Sequence, residues 1–345
     1  MGGSAMTPQT LVATAQALVA GDKGLLAMDE SIPTCNERFA AVGIAQTEGA
    51  RRAYREMIVT TPGLGECISG AILYDETIRQ HKADGTPFVQ VLTDAGIIVG
   101  IKVDTGKTDL AGHPGEHVTE GLDGLRHRLA EYSQMGARFA KWRAVFDIGK
   151  GTPSVACTDA NASALARYAS LCQEAGLVPV VEPEVLMAGD HGLARCAAVT
   201  AEVLRAVFAQ LVGQGVVLEA IVLKTQYGAP RVELPYSKRI GRGGRRHPGL
   251  PPAGRARRRA GRRLPVRRPK RGTSFFPIER FEYEVPVGRA LGVGVLVRPR
   301  HPAAGPGSLG GDDANVKAAQ EALYHRARCN QAARHGQYGL AMEMR

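Results

Sequence analysis

Apolar positions along residues 10–224 follow two alternating patterns, short unbroken runs and longer stretches with a helical period. The runs are 24–29 (GLLAMD), 68–74 (ISGAILY), 98–104 (IVGIKVD), Phe139–Phe146 (FAKWRAVF), Val178–Val185 (VPVVEPEV) and 216–224 (VVLEAIVLK). Most of them lack clean polar alternation, which predicts strands buried on both faces of a parallel sheet. Between them, residues 10–20, 48–60, 119–134, 161–175 and 200–213 read as helices, the first with Leu11, Ala15, Leu18 and Val19 on one side. Strand and helix alternating through six repeats predict an α/β architecture with a parallel sheet, closed or open.

Charge enters at the ends of these runs. Asp29, Lys102, Lys141 with Arg143, Glu182 with Glu184, and Lys224 sit on five of the six predicted strands. In FAKWRAVF the alternation puts Lys141 and Arg143 on one face and Ala140, Trp142 and Ala144 on the other. A lysine at the end of a strand, such as Lys224, often only snorkels to solvent. It also occupies the place where α/β barrels keep their chemistry. Five charged strands sharing one interior need partners, because an unpaired buried charge costs several kcal/mol. A lysine among other cations in a dry pocket becomes a nucleophile. The pattern therefore leaves two readings open, a Schiff-base enzyme and a binding barrel with a charged interior.

At 345 residues the chain is long enough for one large barrel or two ordinary domains. Its six cysteines, Cys35, Cys67, Cys157, Cys172, Cys196 and Cys329, are scattered without a CxxC pair, which fits reduced thiols in a cytoplasmic protein. The first residues, MGGSAMTPQT, show no signal-peptide pattern, and no run of eighteen apolar residues predicts a membrane span. The net charge of +11 would suggest nucleic acid as a partner, but its distribution argues against that. Residues 225–310 hold 20 of the 44 basic and 4 of the 33 acidic residues, hence +16, and 12 of the 20 prolines. The rest of the chain sums to −5.

Taken together, GLLAMDES with TCNERF, VGIKVDTG, FAKWRAVF, LVPVVEPEVL, AIVLK and the C-terminal NVKAAQEALYHRARCN resemble the class I fructose-bisphosphate aldolases, in family order and spacing. The resemblance implies a single-domain (β/α)8 TIM barrel. It implies an aldehyde-lyase that cleaves fructose 1,6-bisphosphate to dihydroxyacetone phosphate and glyceraldehyde 3-phosphate, in glycolysis and gluconeogenesis, with no metal or cofactor. Lys224 is then the Schiff-base nucleophile and Glu182 the general acid/base. Asp29 orients the C4 hydroxyl, and Lys141 supports the carbinolamine step. Lys102 and Arg143 hold phosphate or hydroxyl groups with Glu184 behind them, and Ser31 and Arg38 match family phosphate contacts. The family also implies a phosphorylated sugar as substrate and a homo-tetramer as the assembly. Sedoheptulose bisphosphate is the alternative substrate, because the site acts mainly on the keto triose end.

Residues 225–310 break the resemblance. The family follows its lysine with PNMVLPG, a seventh strand ending in SGGQS and an eighth carrying a GRA phosphate site. Here the chain reads TQYGAPRVELPYSKRIGRGGRRHPGLPPAGRARRRAGRRLPVRRPKRG. A basic insertion that binds polyanions on an inactive barrel is one explanation. The other is a shifted reading frame. Codons chosen for Val266 to Arg271, read one base on, give SGGQS; the same step at Val297 to His301 gives FGRAI, and just after Lys224 it gives PNMVLP. One extra base after the Lys224 codon and a compensating loss near Gly310 account for all three. As written, the chain is expected to lack strands seven and eight, and to be unstable or inactive.

Overall fold

The computed structural model describes residues 8–225, 295–297, 315–339 and 341–342. The chain divides into two units, Met1–Pro230 with Glu282–Arg345, and Arg231–Phe281; every described residue belongs to the first. Its sheet is built from β1 (Gly24–Ala27), β2 (Ile68–Leu73), β3 (Ile98–Lys102), β6 (Phe139–Phe146), β7 (Val178–Val185), β8 (Val222–Leu223) and β9 (Val295–Val297). The spatial order is β8-β7-β6-β3-β2-β1-β9, and every neighbouring pair is parallel. A small antiparallel hairpin, β4 (Gly106–Asp109) with β5 (His117–Glu120), forms a separate sheet that packs on β6.

Helices α1 (Pro8–Val19), α2 (Ile32–Ala40), α3 (Glu48–Val59), α4 (Leu64–Cys67), α5 (Asp75–Ile78), α6 (Phe88–Asp94), α7 (Leu125–Gln134), α8 (Val155–Glu174), α9 (Leu193–Gly213) and α10 (Val316–Arg334) complete the unit. Ser31, Thr47 and Ser154 cap α2, α3 and α8, each side-chain oxygen accepting from the backbone N–H three residues on. α9 is long and apolar enough to cross a membrane by length and composition alone. It packs on α8 and β7, and Val199, Val203, Val207 and Leu211 are buried.

Two cores divide the work. The larger lies between the sheet and the helices and holds Trp142, Tyr168, Phe88 and Leu165. The smaller joins Leu25, Ala27, Ile72, Phe139, Val178, Val180 and Val222 with Leu11, Ala15 and Leu18 of α1. These strand residues alternate in twos, so they share the inward face, and α1 closes the N-terminal end. Gly70 leaves the room this core needs, since a Cβ there would lie 3.1 Å from the Phe139 ring.

Three sequence expectations change. The strand expected over 216–224 pairs only at Val222 and Leu223, and a 3₁₀ turn occupies Leu218–Ala220. The cause is Gln173 of α8. Its Oε1 accepts from Val217 N–H at 2.9 Å, and its amide donates to Val217 O at 2.8 Å, taking the groups a ladder would use. The helix expected over 119–134 starts at Leu125. Gly121 and Gly124 turn the chain with φ of 124° and 65°, and Thr119 belongs to β5. The barrel was expected to stop at six strands, yet β9 pairs with β1, where an eighth strand would lie. The expected seventh strand and most of the basic segment lie outside the described residues.

Candidate active site

The inward face that is apolar at one end of the sheet becomes charged at the other, in the same parity. Ala27 is followed by Asp29, Phe139 by Lys141, Val180 by Glu182 and Val222 by Lys224. Two-residue steps keep all four side chains pointing inward, Lys141 and Glu182 from within β6 and β7, Asp29 and Lys224 from just past the C-terminal ends of β1 and β8. Lys141 Nζ donates to Asp29 Oδ2 at 2.7 Å and lies 3.2 Å from Glu182 Oε2. Lys224 Nζ donates to Glu182 Oε1. Glu182 thus gives one oxygen to each lysine, and the four groups form the chain Asp29–Lys141–Glu182–Lys224. Glu182, Lys141 and Lys224 are 1–3% exposed. Two cations and two carboxylates in contact make such burial tolerable, because each desolvated charge has an opposite one beside it.

The register explains why these residues meet. Lys141 is the ladder partner of Val180 and Arg143 that of Glu182, so the charges of β6 and β7 interleave. Lys224 lies one residue past β8, and its N–H donates to Val181 O at 2.9 Å, which fixes the backbone beside Glu182.

A second shell of charge surrounds the chain. Arg143 Nε donates to Glu184 Oε2, with the glutamate side chain buried and the arginine side chain 38% exposed. Lys102 is the ladder partner of Lys141, and its Nζ lies 2.7 Å from Asp104 Oδ1. Ser31 and Arg38 are engaged locally on α2. The Ser31 hydroxyl caps the helix through Thr34 N–H, and Arg38 donates to Glu30. Of the nine residues singled out in the sequence, the structure therefore joins four into one chain and sets Lys102 of β3, Arg143 of β6 and Glu184 of β7 in ion pairs beside it. Sequence reasoning missed Asp104, whose signal was its two-residue spacing from Lys102 in IKVD.

Chemically, a buried lysine amine touching a carboxylate has an acceptor for its proton, and attack on a carbonyl requires that the amine be neutral. The same carboxylate can return a proton to a departing oxygen or nitrogen. A parallel α/β barrel with a buried lysine–carboxylate chain on its inward face has the constitution of a Schiff-base enzyme. The comparisons narrow the class. The family model described as glycolytic, fructose-bisphosphate aldolase class-I, matches residues 10–239, and the chain belongs to that family. A probable fructose-bisphosphate aldolase class 1 of Xanthomonas campestris pv. campestris is 60% identical over 219 residues, 64% of this chain and 66% of that protein. Fructose-bisphosphate aldolase 7, cytosolic, of Arabidopsis thaliana is 50% identical over 225 residues, 65% of this chain and 63% of that protein. These matches span about two thirds of the relatives' length. The fructose-bisphosphate aldolase of Dictyostelium discoideum is 41% identical over 345 residues, 95% of this chain and 92% of that protein. Among solved structures, Plasmodium falciparum fructose-bisphosphate aldolase, in complex with TRAP and a small-molecule inhibitor, aligns with a TM-score of 0.75. The identity is 32%, covering 97% of this chain and 98% of that one. The fold is the α/β TIM barrel of that family.

Proposed function

We propose that this site cleaves fructose 1,6-bisphosphate reversibly to dihydroxyacetone phosphate and glyceraldehyde 3-phosphate through a Schiff base on Lys224. The observation that carries the reading is the Glu182 carboxylate set between Lys141 and Lys224 in a buried pocket. In this reading Glu182 takes the Lys224 proton, and the amine adds to the C2 ketone. Lys141, already beside Glu182, stabilises the carbinolamine oxygen as it leaves as water. The protonated imine then accepts the electron pair of the C3–C4 bond, while the C4 hydroxyl proton passes to the carboxylate pair of Glu182 and Asp29. Protonation at C3 and hydrolysis of the imine return the free lysine. Lys102 and Arg143 offer cationic donors to phosphate or hydroxyl groups, with Glu184 fixing Arg143. No step calls on a metal or cofactor. The enzyme works in the cytoplasm, as the names of its plant relatives indicate for them, and assembles as a homo-oligomer.

Residues 225–310 belong to the same proposal. We read them as out-of-frame translation, so that the frame-corrected chain carries the full activity and the chain as written is impaired. The abrupt change of composition after Lys224 supports this, as does the return of family-like sequence at NVKAAQEALYHRARCN. Nucleotide reads across codons 222 to 312 decide it, and an uninterrupted frame shared with a related strain overturns it. The activity is tested on both versions by incubation with dihydroxyacetone phosphate and borohydride, followed by peptide mass analysis. A stable adduct on Lys224 is expected. If the corrected protein is folded and shows no adduct, with no cleavage of fructose 1,6-bisphosphate, the reading fails. Filter binding of nucleic acid with steep salt dependence would favour the inactive polyanion-binding alternative.

A further inference from the structure

Lys102 and Lys141 are direct ladder partners on β3 and β6, so two inward-facing ammonium groups start from adjacent backbone positions. Lys141 is turned toward Asp29 and Glu182. Lys102 is turned the other way, along its own strand. Its Nζ sits 2.7 Å from Asp104 Oδ1 and donates to the Asp104 carbonyl at 2.9 Å. Asp104 is itself held from several sides. Oδ1 accepts from Gly106 N–H at 3.2 Å, and Oδ2 accepts from Arg143 N–H at 3.4 Å, which ties the carboxylate to β6. The backbone on either side is pinned as well. Arg128 of α7 donates to Val103 O at 2.9 Å and also to Gly121 O, and Thr105 N–H donates to Glu120 O at 2.9 Å. The Asp104 side chain is 4% exposed, against 17% for Lys102. A nearly buried, backbone-fixed carboxylate therefore holds a lysine that is partly open to solvent.

We propose that Asp104 is a positioning residue: it separates the Lys102 ammonium from Lys141 and presents it at a fixed place to the phosphate or hydroxyl of the bound sugar. The inference rests on the proposed aldolase reading for the identity of the ligand, and on geometry alone for the control of Lys102. With the carboxylate removed, Lys102 loses its anchor and gains freedom in the pocket. Binding suffers before chemistry, because Lys224, Glu182 and Asp29 keep their own contacts.

The test uses the full-length protein with Asp104→Asn, Asp104→Glu, Lys102→Met and the double variant Lys102→Met/Asp104→Asn. Trace acetylation of the folded protein with acetic anhydride, read by peptide mass analysis, reports the accessibility of each lysine. Asp104→Asn is expected to raise labelling of Lys102 severalfold while Lys141 and Lys224 stay at wild-type rates. Asp104→Glu, which keeps the charge, returns Lys102 toward the wild-type rate. In steady-state cleavage, Asp104→Asn raises KM about tenfold with a much smaller fall in kcat, and adds nothing further in the Lys102→Met background. Unchanged Lys102 labelling, or a joint rise at all three lysines, overturns the proposal, since the first denies the anchor and the second signals general loosening. An effect on KM that persists in full without Lys102 overturns it too. If the wild-type protein cleaves no fructose 1,6-bisphosphate, the acetylation result still stands or falls by itself. Should Asp104→Asn fail to fold, the Asp104→Glu comparison with wild type decides whether lengthening the tether moves Lys102 labelling.

Discussion

Two of the buried charge clusters among the described residues use different cations. On the outer side of the sheet, Arg51 and Arg55 of α3 meet Glu76 of α5. Arg51 binds it with two nitrogens at 2.7 and 2.9 Å, and Arg55 donates to the same carboxylate. Arg51 also reaches Asn36 Oδ1 at 3.0 Å, and Arg55 reaches Gln80 Oε1 at 3.1 Å, so α2, α3 and α5 are riveted together. On the inner side, Lys141 and Lys224 share Glu182. A guanidinium keeps its proton and holds a carboxylate with a planar fork. An ammonium makes point contacts and can give its proton up. The outer cluster is built to stay as it is; the inner one is built from groups whose protons can move.

The largest effect that sharpens this contrast comes from Lys224→Met. It removes the amine and should eliminate the borohydride-trapped adduct, with cleavage falling by about four orders of magnitude or more. Glu182→Gln keeps the shape but not the base, and should lower kcat by roughly 10²- to 10⁴-fold. Both variants should keep the wild-type fold by circular dichroism. If Lys224→Met retained the adduct on another lysine, the assignment of the inner cluster would be wrong.

Next in size, Arg55→Ala should act on stability rather than on chemistry. Arg55 is 3% exposed, and removing it strips one of two cations from a partly buried carboxylate that keeps Arg51, a loss of about 1–3 kcal/mol in denaturant unfolding. The kcat of the molecules still folded should be close to wild type. A large fall in kcat without a fall in stability would erase the distinction between the two clusters.

These clusters were not equally legible in the sequence. β6 and β7 appear with the bounds read from FAKWRAVF and VPVVEPEV, because both faces of each strand are buried and the runs are unbroken. The parity of Lys141 and Glu182 followed directly. What could not be read was which carboxylate meets which cation, since that depends on register between strands tens of residues apart. The hairpin β4–β5 was lost because GKTD and HVTE are short and partly polar, leaving no period to detect. The 3₁₀ turn at Leu218–Ala220 was hidden for another reason. Its cause, Gln173, lies 44 residues away from Val217 and looks like any polar helix residue. The Arg51–Arg55–Glu76 cluster carried charge without an apolar run around it, so the sequence showed only a polar helix.

The outer cluster also predicts an acid limb. Burial alone would push the Glu76 carboxyl up, but the hydrogen bonds and charges of Arg51 and Arg55 overcome it and leave the folded-state pKa below the ordinary 4.5. A group depressed on folding contributes stability that is fully present above its unfolded pKa. That stability is lost as pH falls through the folded value, because the unfolded chain then binds the proton more readily. Unfolding free energy should therefore decline below about pH 4.5 in wild type, and decline less steeply in Glu76→Gln. Equal acid slopes in the two proteins would show that this carboxylate plays no part.

The smallest effect tests whether the arginine field reaches beyond its own carboxylate. Cys35 of α2 lies close enough to feel it, and is 2% exposed. Burial pushes its thiol up to about 11, even though Arg55, Arg51 and Arg38 all pull it down, because Glu30 opposes them and desolvation outweighs the sum. At pH 8 only about one molecule in a thousand then carries the thiolate, so iodoacetamide should label Cys35 very slowly in the native protein. Glu76→Gln removes the anion on which Arg51 and Arg55 are spent, leaving their positive charge less compensated and lowering the thiol. Cys172, fully buried and raised by desolvation, is the internal control for general loosening. Faster alkylation of Cys35 with Cys172 unchanged would mean that the cluster projects its charge. Equal rates in wild type and variant would mean that it is neutral at the distance of α2 and serves only to hold the three helices together.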